Sequence, residues 1–129
     1  MLSFLKKYES ESYALLRIVS GFMFSLHGIQ KVFGQLTDRP VPEFGTQAWL
    51  GGVIELLGGV LIMLGVKTRE AAFLSSGTMA VAYTQFHWKF AGGQEFFPVV
   101  NRGELAALYC FVFLLIAVKG SGIWALKRD

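Results

Sequence analysis

The chain has 129 residues, 53% of them hydrophobic and only 16% charged, with a net charge of +3 and a mean hydropathy of +0.50. Soluble domains carry nearer ~25% charged residues and need them to stay dissolved, so this deficit excludes a soluble enzyme with a broad polar surface, a disordered tail and a coiled coil. No basic run exceeds two residues, so the positive balance speaks for membrane orientation and not for nucleic acid.

One domain over residues 1–129 is expected, built on four apolar stretches. A spanning helix needs ~20 mostly apolar residues, with about 17 as the lower bound. The first stretch, residues 13–33, is interrupted by Arg17, His27 and Lys31 and is followed by no small-residue cleavage site. It therefore reads as a retained helix and not as a signal peptide. A linker with Pro40 and Pro42 leads to the second stretch, residues 49–66. There Gly51, Gly52, Glu55, Gly58, Gly59, Ile62 and Gly65 recur at three- and four-residue spacing, which makes a small-residue packing face with one carboxylate set into it.

A tight turn at Val66, Lys67, Thr68 and Arg69 joins the third stretch, residues 71–88. The next linker holds Phe90, Phe96, Phe97 and Pro98 around Gly92 and Gly93; it fits a functional loop or a segment lying in the membrane interface. The fourth stretch, residues 103–119, carries Cys110, the chain's single cysteine, so thiol–disulfide chemistry within the chain is excluded. His27, two prolines and Glu55 in the first half answer faintly to His87, Pro98 and Glu104 in the second, at unequal spacing.

If the four helices alternate, Lys6, Lys7, Lys67, Arg69, Lys119, Lys127 and Arg128 fall on one side. Arg39, Lys89 and Arg102 fall on the other, with Lys31 at the border. The bias places both termini in the cytoplasm. Trp49, Trp88 and Trp124 lie at segment ends, where an indole sits at headgroup level. The expected fold is an all-α membrane protein, a four-transmembrane-helix bundle.

Charge at membrane depth costs about 2.5–3.5 kcal/mol at the bilayer centre and calls for a reason. A rise of about 1.5 Å per residue puts His27 and Glu55 each roughly 9 Å inside the outer face. Lys31 shares a helix face with His27, and His87 and Glu104 lie nearer the outer boundary, with Gln30 and Gln85 close by. His27, Lys31, Glu55, His87 and Glu104 are thus the candidates for ligand binding or proton relay. The plainer alternative is a buried Glu55–His27 or Glu55–Lys31 bond that only locks helix packing. Arg17, near the cytoplasmic end of the first helix, either snorkels to phosphate or caps carbonyls of a neighbouring helix. Glu104 suits the N-terminus of the fourth helix with Asn101 as its cap, or else belongs to the site. Two histidines and two glutamates lack HxxxH, ExxH or HExxH spacing, so no metal site is expected, and no nucleophilic triad stands out.

Several runs carry a family resemblance. Leu16-Arg17-Ile18, Gly21, Phe24, His27-Gly28, Lys31 and Phe33-Gly34 resemble the first helix of DoxX-family membrane proteins. The run from Gly52 to Gly59, ending at Leu64-Gly65, is similar to the second helix. Phe97-Pro98, Asn101-Arg102-Gly103-Glu104-Leu105, Leu108-Tyr109 and Phe113-Leu114 resemble the fourth. The resemblance implies a four-helix inner-membrane protein, some of whose relatives are membrane subunits of thiosulfate:quinone oxidoreductase and others parts of redox-stress complexes. It points to a subunit of a redox complex, with a redox protein partner or a second copy beside it. A quinone in the outer half would be met by His27, Lys31 and Glu55, with Phe86, Trp88 and Phe90 available to stack on the ring. A non-enzymatic membrane scaffold, or a small-molecule or proton-coupled carrier, are the readings from other classes.

Overall fold

Helix α1 (Glu9–Phe33) follows a 3-10 turn at Ser3–Tyr8 and stops where Gly34 turns left-handed at φ 65°. Helix α2 (Gln47–Leu64) starts on Thr46, whose hydroxyl accepts from the Trp49 N–H, and ends at Gly65 with φ 72°. Glycine takes this conformation without the penalty a Cβ would impose. Helix α3 (Thr68–Ala82) runs on into a π-helical turn, Tyr83–Trp88. The following loop holds a 3-10 turn (Gly93–Phe96) and the single-turn α4 (Pro98–Asn101), with Pro98 at its first position. Helix α5 (Glu104–Lys119) completes the fold.

These elements come from a computed structural model that describes all 129 residues, 73% of them helical and none in a strand. Helices α1 and α3 start at Glu9 and Thr68, ahead of the apolar stretches, because polar residues form their first turns, and α2 starts at Gln47 behind the Thr46 cap. The helix expected over 71–88 is helical throughout, its last six residues as a π-helix.

The long helices pack as two close pairs, α1 with α2 and α3 with α5, and α2 meets α3 between them. The first pair touches backbone to backbone. A Cβ on Gly21 would lie 2.6 Å from the Met63 nitrogen and 2.7 Å from the Gly59 oxygen, and one on Gly28 would strike the Leu56 backbone. In the second pair the Ser76 hydroxyl donates to the Cys110 carbonyl at 2.7 Å. Residues beyond α5 fold back under α2, where Leu126 N–H donates to Leu64 O at 2.9 Å.

The distribution of side chains departs from that of a soluble protein. Arg17, Glu55, Thr68 and Ser75 are buried beside Phe24, Ile62, Phe113 and Ile116. Phe22, Leu57, Phe73, Leu108, Phe111 and Val118 are exposed. A patch of this extent is untenable against water and natural against lipid. Two helical runs, Ser3–Phe33 and Gln47–Leu64, are long and apolar enough to cross a membrane by themselves.

Candidate functional site

The site begins at the α1–α2 contact. Glycines let the two backbones approach, and Gly52 leaves room for the Lys31 stem, since a Cβ there would lie 2.6 Å from Lys31 Cβ. Lys31 therefore lies along α2 and donates through Nζ to Glu55 Oε1 at 2.6 Å. Glu55 is only 2% exposed, whereas 38% of the Lys31 side-chain surface is open. Glu55 Oε2 is buried without a hydrogen-bond partner.

The pair borders a half-open cavity of about 650 Å³ in the groove between α2 and α3. Leu50, Ile54, Phe73, Leu74, Val81 and Phe86 form its apolar walls, and Lys31, Glu55, Gln47, Thr78 and His87 its polar points. Phe73, Gly77 and Val81 recur every four residues, the spacing of one helix face. The π turn sets Phe86 and His87 against the same space; such turns recur at functional sites because the extra residue re-aims its neighbours. His87 Nδ1 lies 3.3 Å from the Asn101 carbonyl. A carbonyl only accepts, so in the neutral ring Nδ1 carries the hydrogen and Nε2 is the acceptor. Gln47 Nε2 donates to Gln85 Oε1 at 2.7 Å and ties α2 to the π turn.

Of the five candidate residues, the fold brings Lys31, Glu55 and His87 to one cavity and leaves His27 and Glu104 outside it. The His27 ring meets Tyr109 edge-on, 6.3 Å between centroids. Of the two pairings the sequence left open for Glu55, the bond is to Lys31, whose longer stem follows the groove above Gly52. Glu104 is exposed on the first turn of α5, a helix that contributes nothing to the cavity wall.

Two further expectations are corrected. Asn101 is not the cap of α5: Gly103 holds that position without a side-chain bond. The reason is Arg102, whose left-handed backbone at φ 61° breaks the helix before α5 begins. Asn101 instead accepts from Gly103 N–H at 2.8 Å and donates to Tyr83 Oη at 3.2 Å and Glu95 O at 3.0 Å, pinning the loop to the π turn. Among the three aromatic residues expected around a ring, only Phe86 lines the cavity. Trp88 packs on Phe90 at 4.8 Å and near Phe96 at 5.9 Å.

Arg17 does not snorkel. It is 0% exposed and donates to the carbonyls of Ile62 and Met63 at 2.8 Å each, Ile123 at 3.0 Å and Trp124 at 2.9 Å. It closes the C-terminus of α2 and holds the tail against it. Arg69 does the same for α5 through Ala117, Val118 and Lys119. The Asp129 carboxylate accepts from Thr68 N–H and Arg69 N–H at the start of α3, where the helix dipole favours negative charge. Tyr109, quoted above only for the family resemblance and not as a site candidate, is buried in the interior with an unpartnered hydroxyl and stacks on Phe113 at 5.2 Å.

Residues 12–88, which include Lys31, Glu55 and His87, match the DoxX family model. An uncharacterized protein of Haemophilus influenzae is 42% identical over 132 residues, covering 96% of this chain and 94% of its own. A Bacillus subtilis protein carrying the name "Putative oxidoreductase CatD" is 32% identical over 90 residues, 64% of this chain and 66% of its own. The Escherichia coli inner membrane protein YqjF is 26% identical over 128 residues, 96% of this chain and 95% of its own. No solved structure matches the chain.

Proposed function

Because this chain belongs to the DoxX family, we propose that it is a multi-pass inner-membrane subunit of a redox complex whose α2–α3 cavity holds a quinone-type ring. In this reading all four long helices cross the bilayer with both termini in the cytoplasm. The π-helical continuation lengthens α3 toward a full span, and Lys67, Arg69 and Lys119 gather at the end opposite the cavity. Lipid surrounds the exposed apolar belt, and a redox protein or a second copy of the chain stands beside it.

The observation that carries the reading is the Lys31–Glu55 pair, 2.6 Å long, set into a mostly apolar cavity of about 650 Å³. That volume lies within the ~300–1,000 Å³ of small-molecule sites, which combine apolar walls with a few fixed polar groups. The residues fit such a ligand. Phe73, Val81 and Phe86 offer apolar contact to a ring and its tail. Lys31 keeps ammonium hydrogens free after its bond to Glu55 and donates one to a ring oxygen, while Glu55 holds Lys31 charged and in place. When bound, the quinone supplies the electron- and proton-carrying chemistry; this chain binds and orients it. The test is titration of the protein in lipid nanodiscs with a short-chain quinone. Saturable binding that Lys31→Ala weakens supports the reading, and absence of saturable binding ends it.

The scaffold reading has one observation in its favour: the same pair already ties α1 to α2. There, Glu55→Gln lowers thermal stability and no ring ligand binds.

A further inference from the structure

At the end of the bundle opposite that cavity, the starts of α1 and α3, the end of α5 and the chain beyond it enclose a second pocket of about 280 Å³. Glu9, Arg69, Lys119, Arg128 and Asp129 supply its charged side chains, and residues 120–123 much of its backbone. Its two acids are already engaged. The Asp129 carboxylate accepts from the first amides of α3. Glu9 lies 3.4 Å from Lys119 Nζ, with 75% of its side chain open to water. The two arginines have no carboxylate within ion-pair distance, since the chain's ion pairs are Lys31–Glu55 and Lys119–Glu9. Arg69 bonds the carbonyls ending α5 through Nη1 and Nη2 and leaves its Nε hydrogen unused. Its guanidinium reaches the pocket across Gly120, where a Cβ would lie 2.9 Å from Nη2. Arg128 is exposed and unpaired.

The backbone adds donors. Gly120 and Gly122 stand at φ 84° and 66°, and the N–H groups of Ser121, Gly122 and Ile123 make no backbone bond. Turns through left-handed residues gather successive N–H groups into concavities that suit anions. Guanidinium, ammonium and amide hydrogens thus face one small space, and the group that matches them is a phosphate. The surface beside the pocket decides which molecule carries it. Leu108, Phe111 and Leu115 are exposed on α5 and, with Lys119, recur at three- and four-residue spacing. One apolar stripe therefore runs along α5 into the pocket. We propose that the pocket binds the phosphate of an anionic phospholipid, with Arg69, Lys119 and Arg128 on the headgroup and the acyl chains along Leu108, Phe111 and Leu115. The site is separate from the α2–α3 cavity and does not depend on the quinone-type reading. A headgroup there ties α1, α3, α5 and the tail together at the membrane surface, where anionic lipid attracts basic side chains.

The experiment is native mass spectrometry of the full chain in detergent, titrated in turn with phosphatidylglycerol, phosphatidylcholine and glycerol phosphate. Phosphatidylglycerol is expected to bind at least about tenfold tighter than phosphatidylcholine, whose choline cancels the phosphate charge. Glycerol phosphate, which lacks the chains, should bind more weakly than phosphatidylglycerol. Arg128→Gln should weaken phosphatidylglycerol about fivefold. Lys127→Gln removes the same charge from the neighbouring residue, outside the pocket, and should leave binding unchanged. Both side chains are exposed, so both variants keep the fold. Equal binding of the two lipids overturns the inference, as does equal weakening by the two substitutions, which marks diffuse surface attraction. Glycerol phosphate bound as tightly as phosphatidylglycerol overturns the lipid assignment in favour of a soluble phosphate.

Discussion

The Lys31 ammonium stands 2.6 Å from the Glu55 carboxylate and joins α1 to α2 where glycines bring the two backbones together. The two partners are not equivalent, because Glu55 is 2% exposed and over a third of the Lys31 side chain is open, at 38%. Removing one therefore strands the other at unequal cost. Lys31→Met leaves a buried acceptor group with no donor and should cost ~1–3 kcal/mol. Glu55→Gln leaves a lysine that can swing outward and should cost under about 1 kcal/mol. Thermal unfolding of both variants in one detergent checks the order; equal losses would contradict it.

Arg17 makes four carbonyl bonds from a fully buried position. Arg17→Met leaves the Ile62 and Met63 carbonyls without their donor and loosens residues 120–129 from α2, at an expected ~2–4 kcal/mol. Arg17→Lys should recover only part, because one ammonium cannot fork between two chain segments. Limited proteolysis is the direct readout: the tail beyond α5 should be cut earlier in Arg17→Met than in the unaltered protein.

Gly28 and Gly51 offer a matched contrast within the α1–α2 region. A Cβ on Gly28 would strike the Leu56 backbone, whereas one on Gly51 meets nothing within 4 Å. Gly28→Ala should force the helices apart and cost ~1–3 kcal/mol or more. Gly51→Ala should be neutral or stabilising by up to ~1 kcal/mol, since it removes backbone freedom from the unfolded chain. A melting temperature lowered by Gly51→Ala as much as by Gly28→Ala would refute the close-contact account.

The proposed orientation is open to a labelling test, since Cys110 is the chain's single cysteine and can be replaced by alanine. Single cysteines at Thr37 and Gly93, in the two longer loops, should react with a membrane-impermeant maleimide on intact cells. Cysteines at Lys67 and Lys127 should react only after permeabilisation. Labelling of the second pair on intact cells would reverse the topology.

The sequence by itself carried the composition of a membrane protein, the four long helices to within a few residues, and the glycine face of α2 with Glu55 in it. These are local properties: apolar runs, spacing along one helix, and glycines that stop α1 and α2 at positive φ. Even the pairing of Glu55 was narrowed to His27 or Lys31. What decided between them was tertiary, since both residues lie on one face of α1 and only the crossing over Gly52 lets the longer side chain reach. The cavity was out of reach for the same reason. Its walls come from α2, α3 and the π turn, and the gap between two helices depends on how they cross and not on either sequence alone. Glu104 shows the converse: close to His87 and Lys31 in estimated depth, it sits on α5, which packs against α3 away from the cavity. Depth along a helix is written in residue numbers, but direction around the bundle axis is settled only when the helices meet.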